Sequence, residues 1–264
     1  MLSQFLRTTL RNYSTPPVLK VLSLDARDTL ISLKESPSVV YSRFAKNSGL
    51  NIEPDYILEN FLKHYKRMSS VSPCFGYNSG GSRAWWTEVV ASTLMDVRSD
   101  ILTFLATSYV FQCSPNSDIK QLELTADNLY DYYATTDPWK LVEDRVKLSL
   151  QRLRLKGIVL VVTSNFDSRL KSLLAQFNLT DLFSMIILSG EIGFEKPDKR
   201  IYQLIVNHFE LTHSSEILHI GDNYKNDFLG AKSFGCRSLL FDPHCVSSIP
   251  SFDRISRLSN LKLY

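Results

Sequence analysis

The sequence predicts an α/β protein: a doubly wound parallel sheet with a helical domain inserted after its first strand. Three observations lead there. Five short apolar runs, at 18–24 (VLKVLSL), 157–164 (GIVLVVTS), 184–188 (SMIIL), 216–221 (EILHIG) and 237–241 (RSLLF), suit strands buried on both faces. Helical patterns at 142–156, about 167–177, 198–209 and 225–234 alternate with the later runs, and that rhythm implies right-handed crossovers into a parallel sheet covered on both sides. Residues 31–137 break the rhythm, because no buried-strand pattern appears there and amphipathic helices dominate.

Taken in order, the first 16 residues contain no acid, are rich in hydroxyls, and repeat leucine, phenylalanine and arginine at amphipathic spacing. Mitochondrial presequences have this composition, and RNYS resembles their arginine-based cleavage context, with a mature start near Tyr13 or Ser14. The expected location is the mitochondrial matrix, with the cytoplasm as the alternative. Residues 17–30 and 138–264 are assigned to the core, and 31–137 to the insert. Within the insert, helices are expected at 38–48, stopped by Gly49, and at 54–70, 82–95, 98–112 and 118–134. The glycine-bearing stretch SPCFGYNSGGS (72–82) reads as an exposed loop and the following Trp85 and Trp86 as core anchors. Arg83 reads as a solvated side chain, or else as a substrate-facing cation.

Composition narrows the function. With 264 residues, 44% hydrophobic and 22% charged, the chain can bury a full core. The net charge of +3 owes much to Arg7, Arg11 and Lys20 ahead of the first acid, so a nucleic-acid groove has no support. The longest apolar stretch, IVLVV at 158–162, is too short to cross a bilayer. Cys74, Cys113, Cys236 and Cys245 lack zinc-ligand spacing and read as reduced thiols.

In an open parallel sheet, ligands bind beyond the carboxyl ends of the strands. This chain places Asp25, Asp28 and Thr29 after the first strand and Thr163, Ser164 and Asn165 after the second. Lys196 follows the third, and Asp222 and Asp227 follow the fourth. Any one of them could simply cap a helix. Together they describe a phosphate site. Asp25, Asp222 and Asp227 could hold a hard divalent ion such as Mg2+ through oxygen, while Lys196 and Ser164 grip phosphate oxygens. Neutralised in this way, a phosphate can be attacked by the Asp25 carboxylate, giving phosphoryl transfer through an aspartyl-phosphate. Arg27, Thr29 and Asn165 are the candidate substrate-binding groups, and the expected partner is a small phosphorylated molecule.

DARDTL, TSN, EKPD and GDNYKND stand in the order and spacing of the four motifs of the haloacid dehalogenase superfamily, and about 18–243 resembles it. The helical insert sits where that superfamily places its C1 cap. SNFDSRL, KPDKRIY, GDNYKND and the serine, glycine and double-tryptophan stretch are similar to the group named haloacid dehalogenase-like hydrolase domain-containing protein 3. The resemblance implies a Rossmann-like core and makes Asp25 the nucleophile, Ser164 the motif II hydroxyl and Lys196 the motif III cation. It makes Asp222 and Asp227 the acidic pair of motif IV, and the main-chain carbonyl of Arg27 a metal ligand.

One position departs from the pattern. Superfamily phosphatases usually carry aspartate two residues after the nucleophile, where it protonates the leaving oxygen and then activates water. Arg27 stands there, and a guanidinium stays protonated. Asp28 comes one residue late, and neighbouring side chains of an extended strand end point to opposite sides. Losing general acid–base help lowers turnover by roughly 10²–10⁴-fold, least for an activated ester whose leaving group needs no proton. Dehalogenases also lack that aspartate but do without metal, so the Asp222–Asp227 pair favours magnesium. Two functions follow: a weak Mg2+-dependent phosphatase, or a catalytically impaired relative that binds a phosphorylated ligand or a protein partner.

Overall fold

In the computed structural model of the protein the described residues are 18–50, 52–106 and 115–261. The expected leader at 1–16 and Cys113 lie outside them; Cys74, Cys236 and Cys245 are free thiols. The chain opens with β1 (Val21–Leu24) and β2 (Ile31–Leu33), followed by α1 (Pro37–Asn47), α2 (Pro54–Val71), α3 (Pro73–Gly76), α4 (Gly81–Ala106) and α5 (Pro115–Tyr132). Next come β3 (Trp139–Leu141), α6 (Val146–Leu155), β4 (Val159–Ser164), α7 (Arg169–Gln176), β5 (Met185–Leu188), α8 (Ser189–Ile192) and α9 (Arg200–His208). The remainder is β6 (Ile217–Gly221), a π-helical turn (Tyr224–Leu229), α10 (Gly230–Phe234), β7 (Arg237–Phe241) and β8 (Arg254–Ile255). No helix among the described residues is long and apolar enough to cross a membrane.

Six strands form one sheet in the order β5-β4-β1-β6-β7-β8, and every neighbouring pair is parallel. The chain steps from β1 through β4 to β5, then returns to the opposite flank of β1 with β6. That reversal opens a crevice at the carboxyl ends of β4, β1 and β6. The strands read as apolar runs because both faces are covered. Leu22, Leu24, Leu160 and Val162 join a core with Leu150 of α6 and Leu170 of α7, and Val21, Val161 and Ile217 join another with Ile201 and Tyr202 of α9. Each such leucine, valine or isoleucine contributes roughly 1.5–3 kcal/mol by leaving water.

The helices between β2 and β3 bury a core of their own, with Tyr41, Ile57, Val90, Leu94 and Leu129 within it. Ser36 caps α1, its side chain accepting from Val39 N at 3.4 Å with Pro37 at the first turn, and Gly49 follows the helix at a φ of 80°.

The structure corrects several expectations. The helices expected at 82–95 and 98–112 are one continuous α4 as far as Ala106, with 107–112 outside the described residues. A strand lies inside 31–137 after all: β2 pairs antiparallel with β3, Ile31 opposite Leu141 and Leu33 opposite Trp139. Three residues are too few to show a strand period, and the two-residue β8 escapes notice for the same reason. The 72–82 stretch is not simply an exposed loop. Cys74, Phe75 and Gly76 are buried, with φ of 53°, 56° and 75°. Tyr77 packs so closely on Gly193 that a Cβ there would lie 2.6 Å from its ring. Trp85 is the expected core anchor, its indole N–H donating to Ser72 O at 2.8 Å. Trp86 packs against the same cluster, meeting Trp85 and Phe75, and its indole N–H also reaches the sheet domain.

Candidate active site

Leu24 pairs with Val162 on one side and Ile220 on the other, so β1, β4 and β6 end within two residues of one another. Asp25 after β1, Ser164 at the end of β4 and Asp222 after β6 therefore share one rim. Lys196 reaches it from the loop after α8. Its backbone is held by Asn165, whose Oδ1 accepts from Lys196 N at 2.8 Å and whose Nδ2 donates to Lys196 O at 2.9 Å. The ammonium donates to Asp25 Oδ1 at 2.6 Å, Asp227 Oδ1 at 2.6 Å and Thr163 O at 2.8 Å, which uses all three of its donors. Lys196 is 2% exposed. A cation so buried persists only with partners of this kind, and removing one leaves a costly unpaired charge.

Asp227 is aimed by the π-helical turn. Asn223 caps that turn, its side chain accepting from Lys225 N and Asn226 N, while its own N–H donates to Asp227 Oδ2 at 2.9 Å. Gly221 permits the approach, since a Cβ there would fall 2.2 Å from Asp227 Cγ. Beneath lies a buried polar chain the sequence reading missed. His219 Nε2 donates to Asp227 Oδ1 at 3.0 Å, and the Ser23 hydroxyl stands 2.8 Å from both His219 Nδ1 and Thr163 Oγ1. The available signal was a serine and a histidine in the middle of otherwise apolar strands, directly opposite each other in the β1–β6 register.

Asp25, Asp222 and Asp227 bring carboxylate oxygens within 4.8 Å of one another. Burial, then the charges of Asp25 and Asp227, push Asp222 up to about 7. Burial also raises Asp25, against the opposing pull of Lys196 and the Ser164 hydroxyl. Asp227 is held below the carboxylate range because Lys196 and the His219 hydrogen bond outweigh its burial. Burial works against the charged form of Lys196, yet Asp227 and Asp25 carry it above its ordinary value; burial keeps His219 low. An all-oxygen cluster of mutually repelling acids is the donor chemistry a hard divalent cation takes. Asp222 offers the most open oxygens. Both Asp227 oxygens already accept hydrogen bonds, so in this geometry the expected metal ligand Asp227 serves first to fix Lys196.

The remaining expected site residues fall as follows. Thr29 is fully buried, and its hydroxyl donates to Asp222 Oδ1 over a long 3.5 Å. Asn165 chiefly clamps Lys196. Asp28 has a φ of 57° and Asp28 N donates to Ile31 O at 2.7 Å, so the chain turns here and the extended-strand argument about Asp28 does not apply. Its carboxylate lies 3.3 Å from Arg27 Nε in a solvent-exposed pair. Arg83 pairs with Asp127 and Asp131 and lies 4.4 Å over the Tyr130 ring.

Beside this centre, reached past Arg27 and Asn165, is a cavity of about 240 Å³ between the helical layer and the sheet. Trp86 forms part of its wall and donates to Asp167 Oδ2 at 2.8 Å. Arg169 grips the same carboxylate at 2.7 and 2.9 Å while covering the Trp86 and Tyr130 rings. The helical layer and the sheet domain thus meet where Trp86 and Tyr130 contact the buried Asp167–Arg169 pair of the sheet side, a junction that none of the expected site residues included.

Comparison with known proteins agrees with this architecture. The family model described as haloacid dehalogenase-like hydrolase matches residues 20–235. Human haloacid dehalogenase-like hydrolase domain-containing protein 3 is 29% identical over 252 residues, 92% of each chain. Among solved structures, a 2-haloacid dehalogenase from Pseudomonas syringae superposes with a TM-score of 0.60 at 19% identity, covering 92% of this chain and 96% of its own. The putative hydrolase YfnB from Bacillus subtilis, bound to magnesium, gives 0.62 at 17% identity with the same coverage. The chain belongs to the haloacid dehalogenase-like hydrolases.

Proposed function

We propose that the protein is a Mg2+-dependent phosphatase of low intrinsic rate, acting on a small phosphorylated molecule through an aspartyl-phosphate on Asp25. One observation carries this reading. The Lys196 ammonium bridges Asp25 and Asp227 within a cluster of three acids at the switch point of the sheet. Asp25 and Asp222, with the Arg27 carbonyl, would hold the magnesium ion, which when bound neutralises phosphate charge and favours the ionised form of Asp25. The chain's own residues do the rest. Lys196 keeps one Asp25 oxygen oriented and supplies positive charge, Ser164 supports the carboxylate, and Asn165 fixes the lysine. Arg27 stands where an acid–base aspartate is usual in such phosphatases and cannot donate or take the proton, which accounts for the low rate. The acid-free segment 1–16 supports a mitochondrial site of action, to be checked by the destination of a fluorescent reporter fused behind it.

Acetyl phosphate tests the chemistry directly, because its leaving group needs no proton. With Mg2+, intact-mass analysis is expected to show phosphorylation on Asp25 and steady release of inorganic phosphate, both lost in Asp25→Asn. Neither event in the wild-type protein would overturn the hydrolase. Binding of phosphate or beryllium fluoride without turnover would instead favour the impaired relative, for which Arg27 is the specific observation.

A further inference from the structure

We infer that the cavity beside Asp25 holds the leaving group of the substrate, and that this group is a neutral aromatic body of one or two rings, making the substrate an aryl phosphate. The inference rests on the phosphatase reading and deepens it. Four observations converge. First, nine of the eighteen residues lining the cavity are aromatic, and its three charged residues include Asp167 and Arg169, which neutralise one another. A sugar would leave most of its hydroxyls unpaired against such a wall, whereas an aromatic ring loses nothing on leaving water and gains stacked and edge contacts. Second, the volume of about 240 Å³ lies just below the roughly 300–1,000 Å³ of small-molecule pockets, so it admits a small ring system and little more.

Third, the cavity adjoins the reacting centre. Arg27 and Asn165 line it, one two residues from Asp25 and the other clamped to Lys196, so a phosphate at Asp25 can carry its ester group into the aromatic space. The surface pair between Arg27 and Asp28 is weak and solvent-screened, which leaves Arg27 able to turn toward a developing anion. Fourth, the hydroxyl of Tyr133, also in the lining, is closed off from accessible space, so this tyrosine offers no hydrogen bond to a sugar hydroxyl.

The missing acid at position 27 points the same way. An Asp25 oxygen attacks phosphorus, the bond from phosphorus to the aryl oxygen breaks, and its electron pair leaves as a phenolate. A phenol ionises near 10, as tyrosine does, so the phenolate departs without a proton and later takes one from water. Water then attacks phosphorus, the bond to Asp25 breaks, and the water proton ends on the released phosphate. An alkyl ester, whose alcohol ionises far higher, needs the acid this chain lacks. Wall and chemistry therefore select the same class.

Two measurements test this. The first is turnover of 1-naphthyl phosphate, a sugar 6-phosphate and acetyl phosphate by the full chain with Mg2+, in the wild type and in Val90→Phe and Leu129→Phe, which fill the cavity. The wild type is expected to favour the naphthyl ester over the sugar phosphate by at least about 100-fold in kcat/KM, and the fillers to reduce the naphthyl-to-acetyl ratio by about 10-fold or more. Equal or better use of the sugar phosphate, or a naphthyl-to-acetyl ratio that the fillers leave unmoved, overturns the inference. The second is calorimetric titration with 1-naphthylphosphonate against methylphosphonate, neither of which can be hydrolysed. Tighter binding of the naphthyl compound, weakened in both fillers, supports the cavity assignment; equal affinities overturn it. Should acetyl phosphate fail to phosphorylate Asp25, the phosphatase reading falls alone, and this titration decides the cavity by itself.

Discussion

The acidic centre and the aromatic cavity lie side by side and are built on opposite principles. In the centre, Lys196, Asp25, Asp227 and His219 are buried charges and polar groups whose partners come from strand ends and tight turns. In the cavity, rings from α1 to α5, from β3 and from the loop after β4 surround space, and the ion pair between Asp167 and Arg169 takes its further contacts from Trp86 and Tyr130. The difference teaches a division of labour. Under the proposed function, the centre, whose charges would each be expensive alone, recognises what every substrate shares, the phosphate. The cavity has no such constraint and can be shaped to the part that differs.

That contrast can be broken in graded ways. Lys196→Met strikes the centre hardest, because it leaves Asp25 and Asp227 facing each other without a cation. Turnover of every ester should vanish, and urea unfolding should show a loss of about 3–5 kcal/mol. Retained activity on acetyl phosphate would mean that the lysine is not part of the reacting centre. Arg27→Asp comes next. Restoring an acid two residues after Asp25 should raise kcat on alkyl phosphates by about 10²-fold or more, and on aryl phosphates far less, so that the aryl preference shrinks. A uniform fall in all rates would show that the arginine contributes something an aspartate cannot.

Asp222→Asn gives a smaller effect with a defined pH dependence. The folded protein holds the Asp222 proton up to about 7, whereas the unfolded chain releases it in the ordinary carboxylate range. Between those values the unfolded state binds fewer protons, so wild-type stability falls as pH rises, and the deficit is complete above 7. In EDTA the asparagine variant should match wild type near pH 4 and exceed it at pH 8 by on the order of 2 kcal/mol. Added Mg2+ should reverse the order by stabilising only the wild type, and a variant no more stable at pH 8 would count against crowding among the acids. Trp86→Phe is the mildest. It removes the indole donor to Asp167 but keeps a ring, so stability should fall by about 1 kcal/mol and KM for an aryl ester should rise a few-fold. An equal loss on acetyl phosphate would place Trp86 with the centre instead.

Much of the centre was legible in the chain because its residues are tied to strand ends by short stretches of backbone. Asp25 follows β1 immediately, Ser164 ends β4 and Asp222 follows β6, so apolar runs locate them within a residue. Even Asp227 follows from its turn, since GDNYKND carries both the glycine that admits the carboxylate and the asparagine that caps it. What escaped was Asp227's attachment to Lys196 and His219, and the turn at Asp28. The attachments depend on side chains brought together by the fold, and the turn depends on a left-handed backbone that the residue type does not announce.

Sequence alone determined the α/β rhythm, the position of the helical insert and the set of acids and lysine at the sheet's rim, because period and strand boundaries are local properties of the chain. Only the tertiary structure decided that Trp86 would join Asp167 while packing on Trp85, that the 72–82 segment would dock on Gly193, and that rings from five helices would enclose a space beside Asp25. A cavity belongs to no residue. It is what remains when packed layers fail to meet, and no periodicity along the chain records it.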